Sequence, residues 1–143
     1  MSEKQIQFEL ISPEARLVSK DVYCAEIPGA DGMFGVLPGH SSMLLTLGSG
    51  VVRLYAHKDD ENAQRIFIVE GFADVTGERC TVLAETAVMV DELDRAALER
   101  DLKDLGDDLR MAEAMEERER IRHEITLTKS KLHAVTGQWA VAG

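Results

Sequence analysis

TVLAETAVMVDELDRAALERDLKDLGDDL, residues 81–109, holds the point at which the hydrophobic period of this 143-residue chain changes. Thr81 to Ala84 and Thr86 to Val90 are short runs rich in β-branched residues, the pattern of strands. Past Asp91, apolar residues return instead at Leu98, Leu102, Leu105, Leu109 and Ala112, alternating steps of four and three that line one face of a helix. Asp91 or Asp94 can cap that helix by accepting its first backbone N–H groups.

Upstream, Ile6, Phe8 and Leu10 alternate with Gln7 and Glu9, burying one face of a strand. Val51 to Ala56, Arg65 to Glu70 and Phe72 to Thr76 read as further strands. Pro28-Gly29, Asp31-Gly32, Pro38-Gly39, Gly48-Ser49-Gly50, the polar stretch Lys58 to Asn62, Gly71 and Gly77-Glu78 separate them as turns. The expectation is an antiparallel sandwich or barrel over residues 1–90. Downstream, Ile121, Ile125, Thr128, Leu132 and Val135 form a second helical stripe. One unbroken helix from Asp94 to Val135 would run about 60 Å with only a narrow stripe to bury. A two-helix hairpin over 91–143, turning between Gly106 and Glu117, lets the stripes cover each other. Glu99–Lys103 and Glu116–Arg120 are favourably ordered pairs at four-residue spacing.

With 26 acidic against 16 basic side chains the net charge is −10, which disfavours nucleic-acid backbones and anionic headgroups. Residues 1–7 lack a signal-peptide pattern, and no apolar run reaches the ~20 residues of a membrane span. The chain is expected in the cytoplasm, with any membrane association peripheral. Cys24 and Cys80, in strand-like contexts, read as reduced small hydrophobes. His40, His57, His123 and His133 are scattered without metal-site spacing, and the motifs of nucleophile elbows and phosphate loops are absent. Asp59-Asp60 and Asp107-Asp108 read as solvated surface. No metal or cofactor is expected.

Three ordered motifs carry a resemblance: FELISPE at 8–14, IPGADGMFGVLPGHSSMLLTL at 27–47 and VEGFADVTGERCTVLAETAV at 69–88, followed by Leu93-Asp94 opening the helices. Together they resemble the epsilon-subunit family of the F-type proton-translocating ATP synthases, whose fold the mitochondrial delta subunits share. The resemblance implies a β-sandwich of about ten strands followed by two antiparallel helices. It also implies a non-catalytic subunit that joins gamma in the central stalk, rests on the c subunits of the membrane rotor ring, and lies at the cytoplasmic side of the bacterial inner membrane.

By position, the rotor-ring contact falls on Asp31, Gly32, Met33 and Phe34, with Gly35, Pro38, Gly39 and His40 shaping the base. Met33 and Phe34, set between glycines, read as an apolar tip, the alternative being that Phe34 folds back into the core. The family's helices regulate ATP hydrolysis, so Arg118, Arg120 and Arg122 would face the alpha and beta subunits. That fits the charge segregation between the acidic stretch 91–117 and the basic stretch 118–133. Members that bind ATP at the hairpin place an arginine three residues after the aspartate. Here Leu93, Asp94, Arg95, Ala96 and Ala97 leave Ala97 at that position, and Asp94 alone remains of the nucleotide site. The competing reading is a free-standing, nucleotide-responsive β-sandwich module, which would need the missing arginine.

Overall fold

The computed structural model describes residues 4–137; the outermost ends of the expected regions 1–90 and 91–143 lie outside the described residues. The chain divides into two compact units, Met1–Met89 and Val90–Gly143.

The first unit contains β1 (Ile6–Ile11), β2 (Arg16–Val22), β3 (Cys24–Gly29), β4 (Gly32–Val36), β5 (Met43–Leu47), β6 (Gly50–Tyr55), β7 (Gln64–Val75) and β8 (Arg79–Met89). That is eight strands where about ten were expected. The figure of ten was what the resemblance implied; here the runs Arg65–Glu70 and Phe72–Thr76, read as separate strands, are one strand, β7, and the two runs of 81–90 likewise merge in β8. These long strands serve both layers. The second half of β7 and first half of β8 lie in a layer ordered β2-β1-β8-β7-β5. Their other halves join a layer ordered β4-β3-β6-β7-β8. Pairing is antiparallel except between β1 and β8, which run parallel.

Gly71 marks the crossing. A Cβ there would lie 2.0 Å from the carbonyl oxygen of Leu83, so only glycine lets β7 and β8 approach this closely. Its neighbour Glu70 has φ +38°, a left-handed conformation that side chains rarely adopt. Ladder pairing skips this point, running from Val69↔Thr86 to Gly71↔Ala84 and leaving Glu70 and Glu85 facing each other.

Between the layers, Ile6, Phe8, Leu10, Val22, Ile27, Val36, Ile66, Ile68, Val75 and Val82 have no exposed surface. Burial of each large side chain contributes roughly 1.5–3 kcal/mol. The alternation read in β1 is realised, with Gln7 and Glu9 turned outward.

The second unit opens with a 3₁₀ turn at Val90–Glu92, then α1 (Arg95–Met111) and α2 (Met115–Thr136), which pack on one another. Leu98, Ala112, Ile121, Leu132 and Ala134 are buried, and most of the remaining stripe residues are half-buried. The hairpin turns at Ala112-Glu113-Ala114, inside the expected interval. Glu99 bonds Arg95 at 2.9 Å rather than Lys103.

Candidate functional site

Strand alternation puts Met43, Leu45 and Leu47 toward the interior and leaves Leu44 and Thr46 on the outer face of the β2-β1-β8-β7-β5 layer. Ladder register then carries that face across the sheet. Thr46 pairs Phe72, Phe72 pairs Leu83, and Leu83 pairs Ile11. Leu44 is 73% exposed, Phe72 54% and Leu83 49%, although all three are large and apolar. An open groove of about 790 Å³ runs over this row, bounded by Ser12 and Pro13 at one end and by Ala30 and Gly48 at another.

Charge surrounds the apolar strip. Glu70 and Glu85 line the groove, Asp74 sits opposite Leu44 and Thr81, and Glu9 lies opposite Thr81 on the other side. Arg16 answers Glu9 at 4.0 Å; among the described residues neither Glu70 nor Glu85 has an ion pair. A contiguous exposed apolar strip with a polar rim has the anatomy of a protein-docking face.

Sequence reasoning did not single out Leu44, Phe72 and Leu83. The run MLLTL is apolar throughout and hides its alternation. In Phe72-Ala73-Asp74-Val75 the signal was present: Phe72 shares its face with Asp74, not with Ala73 and Val75.

The expected ring-contact segment is a strand and not a tight tip. Ala30-Asp31 form the turn of a hairpin in which Gly29 pairs Gly32, Pro28 pairs Met33 and Ile27 pairs Phe34. Pairing sends the two side chains to opposite faces. Met33 is exposed, whereas Phe34 is half-buried against the core and meets the His40 ring edge-on at 5.1 Å. Asp31 and Gly32 are exposed, and His40 follows the Pro38-Gly39 turn with Nδ1 2.8 Å from the Ser41 carbonyl oxygen.

In the helical unit, the Asp94 carboxylate accepts from the N–H groups of Ala96 at 3.0 Å and Ala97 at 3.3 Å, so it is the cap of α1. Arg118 does not join a solvent-facing basic face. Its guanidinium donates to the carbonyls of Leu109 at 2.7 Å and Ala112 at 3.0 Å, closing the C-terminus of α1. Arg120 and Arg122 are exposed.

Both cysteines are free. Burial, reinforced by Asp74, pushes the Cys80 thiol up to about 12, while Cys24 is half-buried and raised chiefly by burial. Among the described residues no group of His, Cys, Asp and Glu could hold a metal, and no helix is long and apolar enough to cross a membrane.

The family described as ATP synthase, Delta/Epsilon chain, beta-sandwich domain matches residues 5–90. An ATP synthase epsilon chain of Rhodospirillum centenum is 43% identical over 137 residues, 94% of each chain. One from Rhodospirillum rubrum is 40% identical over 114 residues, covering 80% of this chain and 82% of its own. In a solved structure of the Euglena gracilis mitochondrial ATP synthase, OSCP/F1/c-ring, one chain superposes with a TM-score of 0.75 at 22% identity, over 94% of this chain and 82% of that one. In the central stalk and c-ring of the Tetrahymena thermophila enzyme, a chain superposes with a TM-score of 0.60 at 11% identity, over 94% and 100%. At these identities the superpositions speak to fold.

Proposed function

Because the chain belongs to the ATP synthase delta/epsilon family, we propose that it works as the stalk subunit through which the gamma subunit and the rotor ring are joined, with its outer β-face as the seat for gamma. As an epsilon chain it is a non-catalytic part of the synthase. The observation that carries the assignment of the face is the row Leu44, Phe72 and Leu83, exposed across three neighbouring strands of a stiff sandwich. Torque transmission asks for such a body, and exposed apolar area gains most when a partner covers it.

The hairpin at the turn Ala30-Asp31 is our choice for the ring contact, now with Met33, Asp31 and Gly32 outward and Phe34 with His40 as its internal brace. Arg120 and Arg122 are the exposed cations left on α2 to meet acidic surfaces of the alpha and beta subunits, Arg118 being engaged in the hairpin itself. Location follows these partners: the cytoplasmic side of the bacterial inner membrane, held by the ring and not by insertion. A free-standing nucleotide sensor is disfavoured. Ala97 carries no charge, Asp94 is committed to capping, and the neighbouring Arg95 is paired with Glu99 at 2.9 Å, so a triphosphate meets no uncommitted guanidinium there.

Pull-down of gamma by the tagged full chain tests the reading. Phe72→Ser should keep the fold and lose gamma; retention of gamma by a Leu44→Ser, Phe72→Ser double variant would refute the assigned face. Met33→Ser should fold normally and weaken capture of the ring, whereas Phe34→Ser should destabilise the sandwich. Calorimetric titration with Mg-ATP should show no saturable binding.

A further inference from the structure

We propose that the facing carboxylates Glu70 and Glu85 make this docking face selective for a partner ridge that carries a cationic side chain beside its apolar residues. The inference rests on the reading that gamma occupies the face, and it states what gamma must present there.

Glu70 and Glu85 are in locally unfavourable positions within the free chain. They stand opposite each other across β7 and β8, where like charges repel, and no cation of the described residues answers them. Glu70 adds a backbone cost, since φ +38° suits glycine and not a side chain with a β-carbon. Neither cost is offset by packing, because both residues are exposed. Both line the same apolar groove. A chain that keeps two unfavourable features at the edge of an exposed apolar strip is complementary to something outside itself.

Charge decides what that something is. The outer face carries Glu9, Glu70, Asp74 and Glu85 against Arg16 and Arg79, both at the Glu9 side of the face, in a chain of net charge −10. A second copy of this chain would bring the same excess of carboxylates together and is disfavoured as occupant by repulsion. A partner with an arginine or lysine one turn or one strand step from its apolar anchors would place the cation between Glu70 and Glu85 as Phe72 and Leu83 are covered. The closing apolar contact then removes water from the ion pair and strengthens it.

Equilibrium titration of purified gamma with the full chain tests this at two salt concentrations. The Glu70→Gln, Glu85→Gln variant should bind gamma roughly ten-fold more weakly and with a flatter salt dependence. Glu70→Gly should weaken binding while raising the melting temperature of the free chain, because it removes backbone strain. That opposite movement is one a merely structural role does not produce. Wild-type affinity in a Glu70→Lys, Glu85→Lys variant, with Phe72→Ser still abolishing binding, would overturn the charge selectivity and leave the face intact. Unchanged binding in Phe72→Ser would overturn the assignment of the face and the selectivity together.

Discussion

In the sandwich, Phe8, Ile27, Ile66 and Ile68 are wholly buried, whereas the best-covered side chains of the helical unit, Val90, Ile121 and Leu132, keep 3%, 4% and 4% of their surface. The helical unit instead gathers its definition at helix ends. Asp94 caps the start of α1, Arg118 closes its end, and Gly137, with φ +77°, terminates α2 through its N–H to the His133 carbonyl. The two units reach order by different routes: one through apolar volume and close backbone approaches, the tightest at Gly71, the other through a few polar links at its turns. Substitutions that leave apolar volume almost untouched should therefore separate them.

The largest expected effect comes from making the same change in both. Gly71→Ala would drive a methyl group into the Leu83 carbonyl at 2.0 Å, forcing β7 and β8 apart where both layers depend on them. We expect a loss of at least about 3 kcal/mol in urea unfolding, overpacking against backbone being hard to relax. Gly106→Ala lies in the interior of α1 with open space at the Cβ position, and should stabilise by about 0.5–1 kcal/mol. Equal responses of the two variants would erase the contrast.

Gly71 also shows where sequence reading reached its limit. Glycine after Val69-Glu70 looks like a turn, because an isolated glycine in an apolar run gives the same signal whether the chain reverses or another strand passes close by. Only the pairing of β7 with β8 distinguishes the two, and pairing is non-local. Hence β7 and β8 were each read as two runs, while the change of period near Asp91 and the helical hairpin were legible. The candidate docking face was hidden for a related reason. Leu44 and Leu45 look alike in sequence, and which of them meets water depends on strand register. Arg118 read as part of a basic stretch because a cap supplied from nine residues away has no short-range pattern.

Arg118 gives the next prediction, intermediate in size. The turn Ala112-Glu113-Ala114 has no glycine, and α2 begins without a side-chain cap at Ala114. Arg118 thus supplies the polar closure that glycine ordinarily gives a helix end. Arg118→Ala should cost the helical unit about 1.5–3 kcal/mol, the range for hydrogen bonds that involve a charged group. Faster amide exchange should appear at the α1–α2 turn and leave the sandwich strands unaffected. Arg120→Ala, at an exposed position, should change neither quantity. Uniform loss of protection across both units after Arg118→Ala would break the distinction between them.

The smallest effect sharpens the comparison from the other side, since the sandwich also has polar anchors in its loops, Thr76 in the β7–β8 turn and Asp60 in the β6–β7 loop. In the β6–β7 loop the Asp60 carboxylate accepts from the N–H of Asn62 at 2.9 Å and from that of Ala56 at 2.9 Å, beside Asp59 with φ +63°. Those backbone donors, Asn62 first and Ala56 second, hold the Asp60 carboxyl below its ordinary value. The sign follows directly. A carboxyl whose acidity rises on folding stabilises the folded state when ionised, so its contribution is present above the ordinary aspartate range and fades as pH falls through the lowered value. Asp60→Asn can keep only one of the two acceptor oxygens, and should lower the melting temperature slightly at pH 7. The gap to the unsubstituted chain should close as the pH is taken below about 3.9, the ordinary aspartate value. A gap that persists unchanged into acid would mean that the loop is held by shape and not by the charge of Asp60. The sandwich would then need no charged anchor in this loop, and the contrast with the helical unit, closed by Asp94 and Arg118, would sharpen.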